Sequence, residues 1–149
     1  MSVGKFCNRD VVIVEPTATI VEAARLMRHH HVGGLVVVDQ QGSKVEPIGI
    51  VTDRDMVVSL IAEQIDISLL TVSDLMSGEL ISAVEHDSLW DTMQRMVGGG
   101  IRRLPVVSDD GSLVGIIAVD DILELLADEM GALVRIIQSE QAKERELKV

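Results

Sequence analysis

One pattern written twice limits what this chain can fold into. The seven residues Gly49-Ile50-Val51-Thr52-Asp53-Arg54-Asp55 return in part as Gly115-Ile116-Ile117-Ala118-Val119-Asp120-Asp121. Sliding the second half onto the first by 69 positions lays Ile81 on Val12, Leu89 on Ile20, Met96 on Met27, Leu104 on Leu35 and Val106-Val107 on Val37-Val38. Past the next turn the offset falls to 66, the separation of Gly115 from Gly49 and of Asp121 from Asp55, because Asp39 to Pro47 is a longer stretch than Ser108 to Ser112. Two self-similar units of roughly 60 residues are the mark of a chain built by repeating one structural unit. Each unit alone would leave a hydrophobic sheet face bare, so the two are expected to pack as one pseudo-twofold body.

Within each unit the periodicity reads as a short strand, a helix, two strands and a second helix. In the first, Val11 to Val14 is a strand ended by Pro16, and Thr19-x-x-Glu22 is a capping-box signature opening a helix through Ile20, Ala23, Ala24 and Met27. Gly33-Gly34 then breaks the chain before the strands Leu35 to Val38 and Ile48 to Thr52, with a turn at Gln41-Gly42, and the second helix carries Met56, Val57, Leu60 and Ile61. In the second, Leu80 to Ala83 is the short strand, Ser88 opens a helix through Leu89, Met93 and Met96, and Gly98-Gly99-Gly100 stops it. Arg102-Arg103-Leu104-Pro105-Val106-Val107 is a strand with a basic entrance, Asp110-Gly111 is a hairpin signal, Leu113 to Ala118 is the last strand, and a final helix starts near Asp121. The expected class is therefore α/β (α+β), with repeats at 1–68 and 69–130 and a helical extension over 131–149.

The corner that ends each Gly-Ile-Ile/Val strand carries the chemistry. A carboxylate at a helix start lies beside unpaired backbone N–H groups, which favour an anion, while the acid itself accepts hydrogen bonds from vicinal hydroxyls. A ribose phosphate offers both groups. Thr52-x-x-Asp55 is also a capping signature, as are Thr71-x-x-Asp74 and Ser88-x-x-Asp91, so capping and ligand roles both stand open at this corner.

Composition closes off other partners. With one Phe, one Trp and no Tyr the chain lacks stacking platforms for single-stranded nucleic acid, and its net charge of −11 disfavours any polyanion or anionic membrane. A single cysteine, Cys7, excludes an intrachain disulfide and a Cys-rich zinc site. No apolar run approaches the ~18 residues of a membrane span, and the opening residues lack an apolar signal core, so a soluble cytoplasmic protein is expected. His29-His30-His31 do not read as a metal site, because successive helical residues point about 100° apart. The glycine run at 98–100 lacks the Lys-Ser/Thr sequel of a phosphate loop, and no nucleophile or base accompanies the aspartates, which speaks against an enzyme.

Taken together, the Pro-x-x-Thr-Ile-x-Glu-Ala-Ala-x-x-Met helix, the Arg-Arg-Leu-Pro-Val-Val strand and the Gly-Ile-Val-Thr-x-x-Asp corner, repeated in order, resemble a cystathionine β-synthase (CBS) domain pair, or Bateman module. The resemblance runs from about Val3 to Met130 and implies tandem β-α-β-β-α units enclosing a cleft for adenosine ligands: AMP, ADP or ATP foremost, with NAD(H) or S-adenosylmethionine also in range. Position by position it implies Thr52 and Asp55 at phosphate and ribose, Val12, Val14 and Pro16 framing the base, Arg102 and Arg103 reaching phosphates, and Asp121 as the acid of a second site. Strand alternation would turn at most one of the two arginines into the cleft, and Arg103 has the better claim. The second site is chemically unequal: Ala118 replaces the hydroxyl, Glu85 stands where the first repeat has Pro16, and Gly33-Gly34 stand where the second has its arginines.

Two readings follow. One is a regulatory sensor whose ligand state shifts the repeats or a homodimer, to be read by a regulated protein partner. The other is a structural or oligomerisation protein with degenerate clefts. The apolar stripe Ile122, Leu126, Met130, Leu133, Val134 and Ile137 continues beyond the family unit, and self-association through it is expected, with intrachain docking the alternative and a frayed charged end over 138–148.

Overall fold

The computed structural model describes residues 1–76 and 78–148; position 149, at the end of the expected extension, lies outside the described residues. The chain divides into two compact units, residues 1–117 and 118–149. The first holds α1 (Val3–Phe6), β1 (Ile13–Val14), α2 (Ile20–His30), β2 (Gly34–Gln41), β3 (Lys44–Thr52), α3 (Asp53–Asp55), α4 (Val72–Leu75), β4 (Ala83–Val84), α5 (Leu89–Gly99), β5 (Arg103–Val107) and β6 (Leu113–Ala118), whose last residue opens the second unit. Two three-stranded sheets result, ordered β1-β2-β3 and β4-β5-β6. The architecture is the mixed α/β repeat that the periodicity implies, and the registers agree: Val14 lies opposite Val37, as Ala83 lies opposite Val106, each residue shifted by 69.

Local chemistry starts and stops the long helices. Thr19 and Glu22 form a reciprocal capping box on α2, with Thr19 N–H donating to Glu22 Oε2 at 2.9 Å and Glu22 N–H to Thr19 Oγ1 at 3.1 Å. Ser88 Oγ accepts from Asp91 N–H at the start of α5. Both helices stop on a left-handed residue, His31 and Gly100, again 69 apart. Glycine takes that conformation freely and histidine at some cost.

Several elements differ from the sequence expectation. The first strands contract to two residues each; Val12 still gives its carbonyl to Val36 N–H at 3.1 Å but pairs no further. The surplus residues of the first repeat extend a hairpin, pairing Val38 with Pro47 through Gln41 with Lys44 beyond a bulge at Val37/Val38. After α3 the chain is π-wound from Met56 to Ile61, which buries Leu60 and leaves Val57 and Ile61 exposed.

The two repeats are tied by exchanging their leading segments. Val3 N–H donates to Asp87 O and Gly4 N–H to Glu85 O, so the opening turn docks on the second repeat. Val72 N–H donates to Ala18 O and Ser73 N–H to Pro16 O, so the linker turn α4 docks on the first. Every donor and acceptor in one set lies 69 residues from its counterpart in the other. Both valines are fully buried, and Val72 joins Val14, Ala23, Met27, Leu35, Val37 and Val51 in one core cluster. Burying such a side chain contributes about 1.5–3 kcal/mol.

The second unit is α6 (Val119–Leu147). Where a frayed end was expected, the helix continues to Leu147, because Gln, Glu, Ala, Lys and Arg after Gln138 are good helix formers and Glu144 pairs with Lys148 one turn on. No helix among the described residues is long and apolar enough to cross a membrane.

The exchange predicts which glycines are obligatory. A Cβ on Gly115 would stand 2.7 Å from the Asn8 carbonyl oxygen, whereas one on Gly49 would meet the Met76 side chain, with Sδ at 2.8 Å. Backbone yields less than a thioether, so Gly115→Ala should cost about 1–3 kcal/mol and Gly49→Ala less, read from urea unfolding midpoints.

Candidate ligand-binding site

The corner at the end of β3 is built by its own side chains. Thr52 N–H donates to Asp55 Oδ2 at 2.9 Å and Asp55 N–H donates to Thr52 Oγ1 at 3.1 Å. The cap thus employs one carboxylate oxygen, and Oδ1 retains acceptor capacity for hydroxyls, so capping and binding do not compete. Asp53 N–H donates to Gly33 O at 3.0 Å, fastening the corner to the entrance of β2.

This corner opens on a cavity of about 530 Å³. From the first repeat it is lined by Ile50, Thr52, Asp53, Arg54 and Asp55, and from the second by Glu79, Leu80, Ile81, Gly100, Ile101, Arg102 and Arg103. Ile50, Leu80, Ile81 and Ile101 supply an apolar wall for a flat ring. Asp53, Asp55 and Glu79 supply acceptors, and the arginines supply guanidinium forks suited to an anion. The volume is in the range of small-molecule sites.

The cavity brings together Thr52, Asp55, Arg102 and Arg103 of the residues singled out in the sequence. Both arginines line it, against the alternation argument, because β5 begins only at Arg103 and Arg102 sits in the bend before it. Val14 is buried in the core cluster, Val12 packs against that cluster, and the Pro16 carbonyl is engaged by Ser73. Asp121 belongs to the second unit, where its Oδ2 accepts from Ala118 N–H at 2.9 Å. That bond matches the one from Asp55 to Thr52, but Ala118 has no hydroxyl to return the second. The lining residues not singled out in the sequence are Ile50, Asp53, Arg54, Glu79, Leu80, Ile81, Gly100 and Ile101. Leu80 and Ile81 were legible, since the offset of 69 sets them on Val11 and Val12.

The unlike residues at the strand entrances have a steric basis. A Cβ on Gly34 would lie 2.5 Å from Arg103 Nη1 and 3.2 Å from its Cδ. Positions 34 and 103, equivalent in the repeat, therefore meet each other, and the glycine is the space that the arginine fills. Among the described residues no cluster of His, Cys, Asp and Glu could hold a metal ion; His29 and His30 stack edge to face at 4.8 Å and His31 ends α2.

The sequence pattern of the CBS domain matches residues 3–62 and 72–128. The chain belongs to the CBS domain family. Its CBS pair is 42% identical to the CBS domain-containing protein YhcV of Bacillus subtilis over 121 residues, 81% of this chain and 82% of YhcV. It is 40% identical to the uncharacterized protein MK0525 of Methanopyrus kandleri over 84% of this chain, and there it spans 62% of the relative's length. Among solved structures it resembles the CBS domain pair of protein MJ0100 in complex with 5-methylthioadenosine and S-adenosyl-L-methionine, with a TM-score of 0.75, 25% identity, and coverage of 87% of this chain and 98% of that one.

The meeting of Gly34 and Arg103 in this CBS pair is open to a double-mutant cycle. Gly34→Ala should destabilise the protein, and Arg103→Ala should relieve most of that loss, giving a coupling of about 0.5–3 kcal/mol in urea unfolding.

Proposed function

We propose that this protein is a regulatory module that binds an adenosine nucleotide in the cleft between its CBS repeats. The observation that carries the reading is the convergence of Asp55, with an oxygen left over from its cap, and the Arg102-Arg103 pair on one cavity with an apolar wall. In this reading Asp55 Oδ1 accepts from the ribose hydroxyls, Thr52 and the arginines hold the phosphate, and Leu80, Ile81 and Ile101 pack on the base. Asp121 is, in the same reading, the acid of a second and weaker site, which lacks the hydroxyl at Ala118. The bound adenosine compounds of the MJ0100 CBS pair support this ligand class. AMP, ADP and ATP suit the two guanidinium groups best, with NAD(H) and S-adenosylmethionine as further candidates.

The site is built from both repeats, so a ligand that bridges them draws them into one geometry, and a homodimer or a regulated protein partner can read the difference. The output is a shift between states and no bond is made or broken, which makes the protein a sensor and not an enzyme. The setting is the cytoplasm.

A thermal-shift series with AMP, ADP, ATP, NAD(H) and S-adenosylmethionine tests the reading. At a hundred times its dissociation constant a ligand stabilises the fold by about 2.7 kcal/mol, an upward shift of roughly 5–10 °C for a chain of this size. Asp55→Asn keeps an oxygen for the Thr52 N–H and should weaken the same ligand about tenfold or more, as loss of charge-assisted hydrogen bonds does. Asp121→Asn should change it less. No shift with any of the five ligands would overturn the proposal in favour of a structural module.

A further inference from the structure

A second recess, of about 330 Å³, lies between α2 and the π-wound segment of the first repeat and shares no lining residue with the nucleotide cleft. Ile20 and Ala24 line it from α2, and Met56 and Leu60 from the π-wound turn. Among the described lining residues only Arg25 and Arg28 are polar, and no acid is present. Both arginines are exposed, and three residues apart on a helix they share one face. Glu22, one turn before Arg25, does not line the recess and gives an oxygen to the Thr19 N–H. The carbonyl end of α2 disfavours an anion near Arg28, but a half-charge there is outweighed by two full positive ones. An apolar wall with a few placed polar groups is the make-up of a small-molecule site, and this volume is near the lower end of that range.

The second repeat shows that the fold does not demand this recess. At the offset of 69, Ala24 corresponds to Met93, Arg25 to Gln94 and Arg28 to Val97. Where the first repeat leaves a methyl group beside two cations, the second places a half-buried thioether and no charge at these positions. A helix face that served both repeats in the same way would have no reason to differ in volume and in charge together. The backbone is unusual at the same place. Ala62 N–H donates to Val57 O at 2.9 Å, a five-residue step, and the segment ends at Gln64 in the left-handed region with φ 54°. Both conformations are disfavoured, and with Val57, Val58 and Ile61 exposed, packing does little to offset them.

We propose that this recess binds a single-chain aliphatic carboxylate. The chain lies against Ala24, Met56 and Leu60, and Arg25 and Arg28 hold the head group, for which a guanidinium fork is a geometric match. The wall has no aromatic ring to stack on a flat ligand, and its flexible aliphatic side chains suit a methylene chain. The ligand is a free acid and not a bilayer, because a net charge of −11 repels an anionic membrane. The site goes beyond the nucleotide reading and does not depend on it.

The test is calorimetric titration of the full chain with dodecanoate, which should saturate one site per chain below about 1 mM. Dodecyltrimethylammonium, with the same chain and the opposite charge, should bind at least tenfold more weakly. Decanoate should lose about ten- to twentyfold for its two missing methylenes. Ala24→Met, and separately Arg25→Gln with Arg28→Val, install the second repeat's residues and should each weaken dodecanoate at least tenfold with the unfolding midpoint retained; methionine and glutamine are good helix formers. Should a variant not fold, the Met56 methyl resonance of the unaltered chain still locates the site and should move on adding dodecanoate. Absence of saturable binding, whether the recess stays empty or a second copy covers it, would overturn the proposal. So would equal affinity for the cationic amphiphile, a folded Ala24→Met chain that binds as before, or a Met56 resonance that does not move. Adsorption to phosphatidylglycerol vesicles that the same substitutions abolish would overturn it in favour of a membrane contact.

Discussion

The reciprocal docking of the two leading turns is the constraint on which the rest of the structure depends. Each repeat offers a groove lined by carbonyls, Ala18 and Pro16 in one, Asp87 and Glu85 in the other, and each receives two amides and a buried valine from the segment that precedes its partner. Main-chain donors carry no side-chain entropy, and unmade these bonds would leave half-buried carbonyl residues without them. A chain that satisfies these groups by exchange covers two core openings with one operation, applied twice. The close approach of Gly115 to Asn8 and of Gly49 to Met76 follows from it.

The exchange also composes the cleft. α4 seats Val72 in the first repeat and ends at Leu75, and Met76 packs against Gly49, one residue before the cavity-lining Ile50. Leu80 and Ile81 follow within a few residues and line the cavity beside Thr52 and Asp55. The wall facing the first repeat's acid is thereby supplied by the second. Binding chemistry that spans both repeats is a consequence of how the chain folds its linker.

Much of this was legible in the sequence because it is local. Caps at Thr19, Thr52 and Ser88 depend on residues three apart, and the core strands announce themselves as β-branched runs between glycines. The same offset of 69 recurs in the strand registers. The rest lay in interactions that leave no side-chain signature. Backbone hydrogen bonds between distant turns look the same for any residue but proline, so the exchange was silent, and with it the choice of which first strand lines the cavity. The length of β1 was overestimated because Val12 is apolar for packing and only partly for pairing. The π-winding at Met56 to Ile61 keeps an ordinary helical periodicity in sequence while shifting which residues are buried.

The unlike residues at positions 34 and 103 show why the two halves of such a body do not converge on one sequence. Residues related by the repeat but remote from each other can be identical without conflict, as Val3 and Val72 nearly are in role. Residues that meet their own counterpart are different. An arginine at both 34 and 103 would bring two guanidinium groups to within a few ångströms, a repulsion of about 4 kcal/mol at an effective dielectric of 20. Glycine at both would leave a gap and no cation. One large charged residue against one residue without a side chain fills the space and keeps the charge, and the symmetry must break to allow it. The break has a chemical consequence: the guanidinium pair that lines the cavity beside Asp55 has no counterpart at Gly33 and Gly34, so any anion site related by the repeat must find its positive charge elsewhere or do without it.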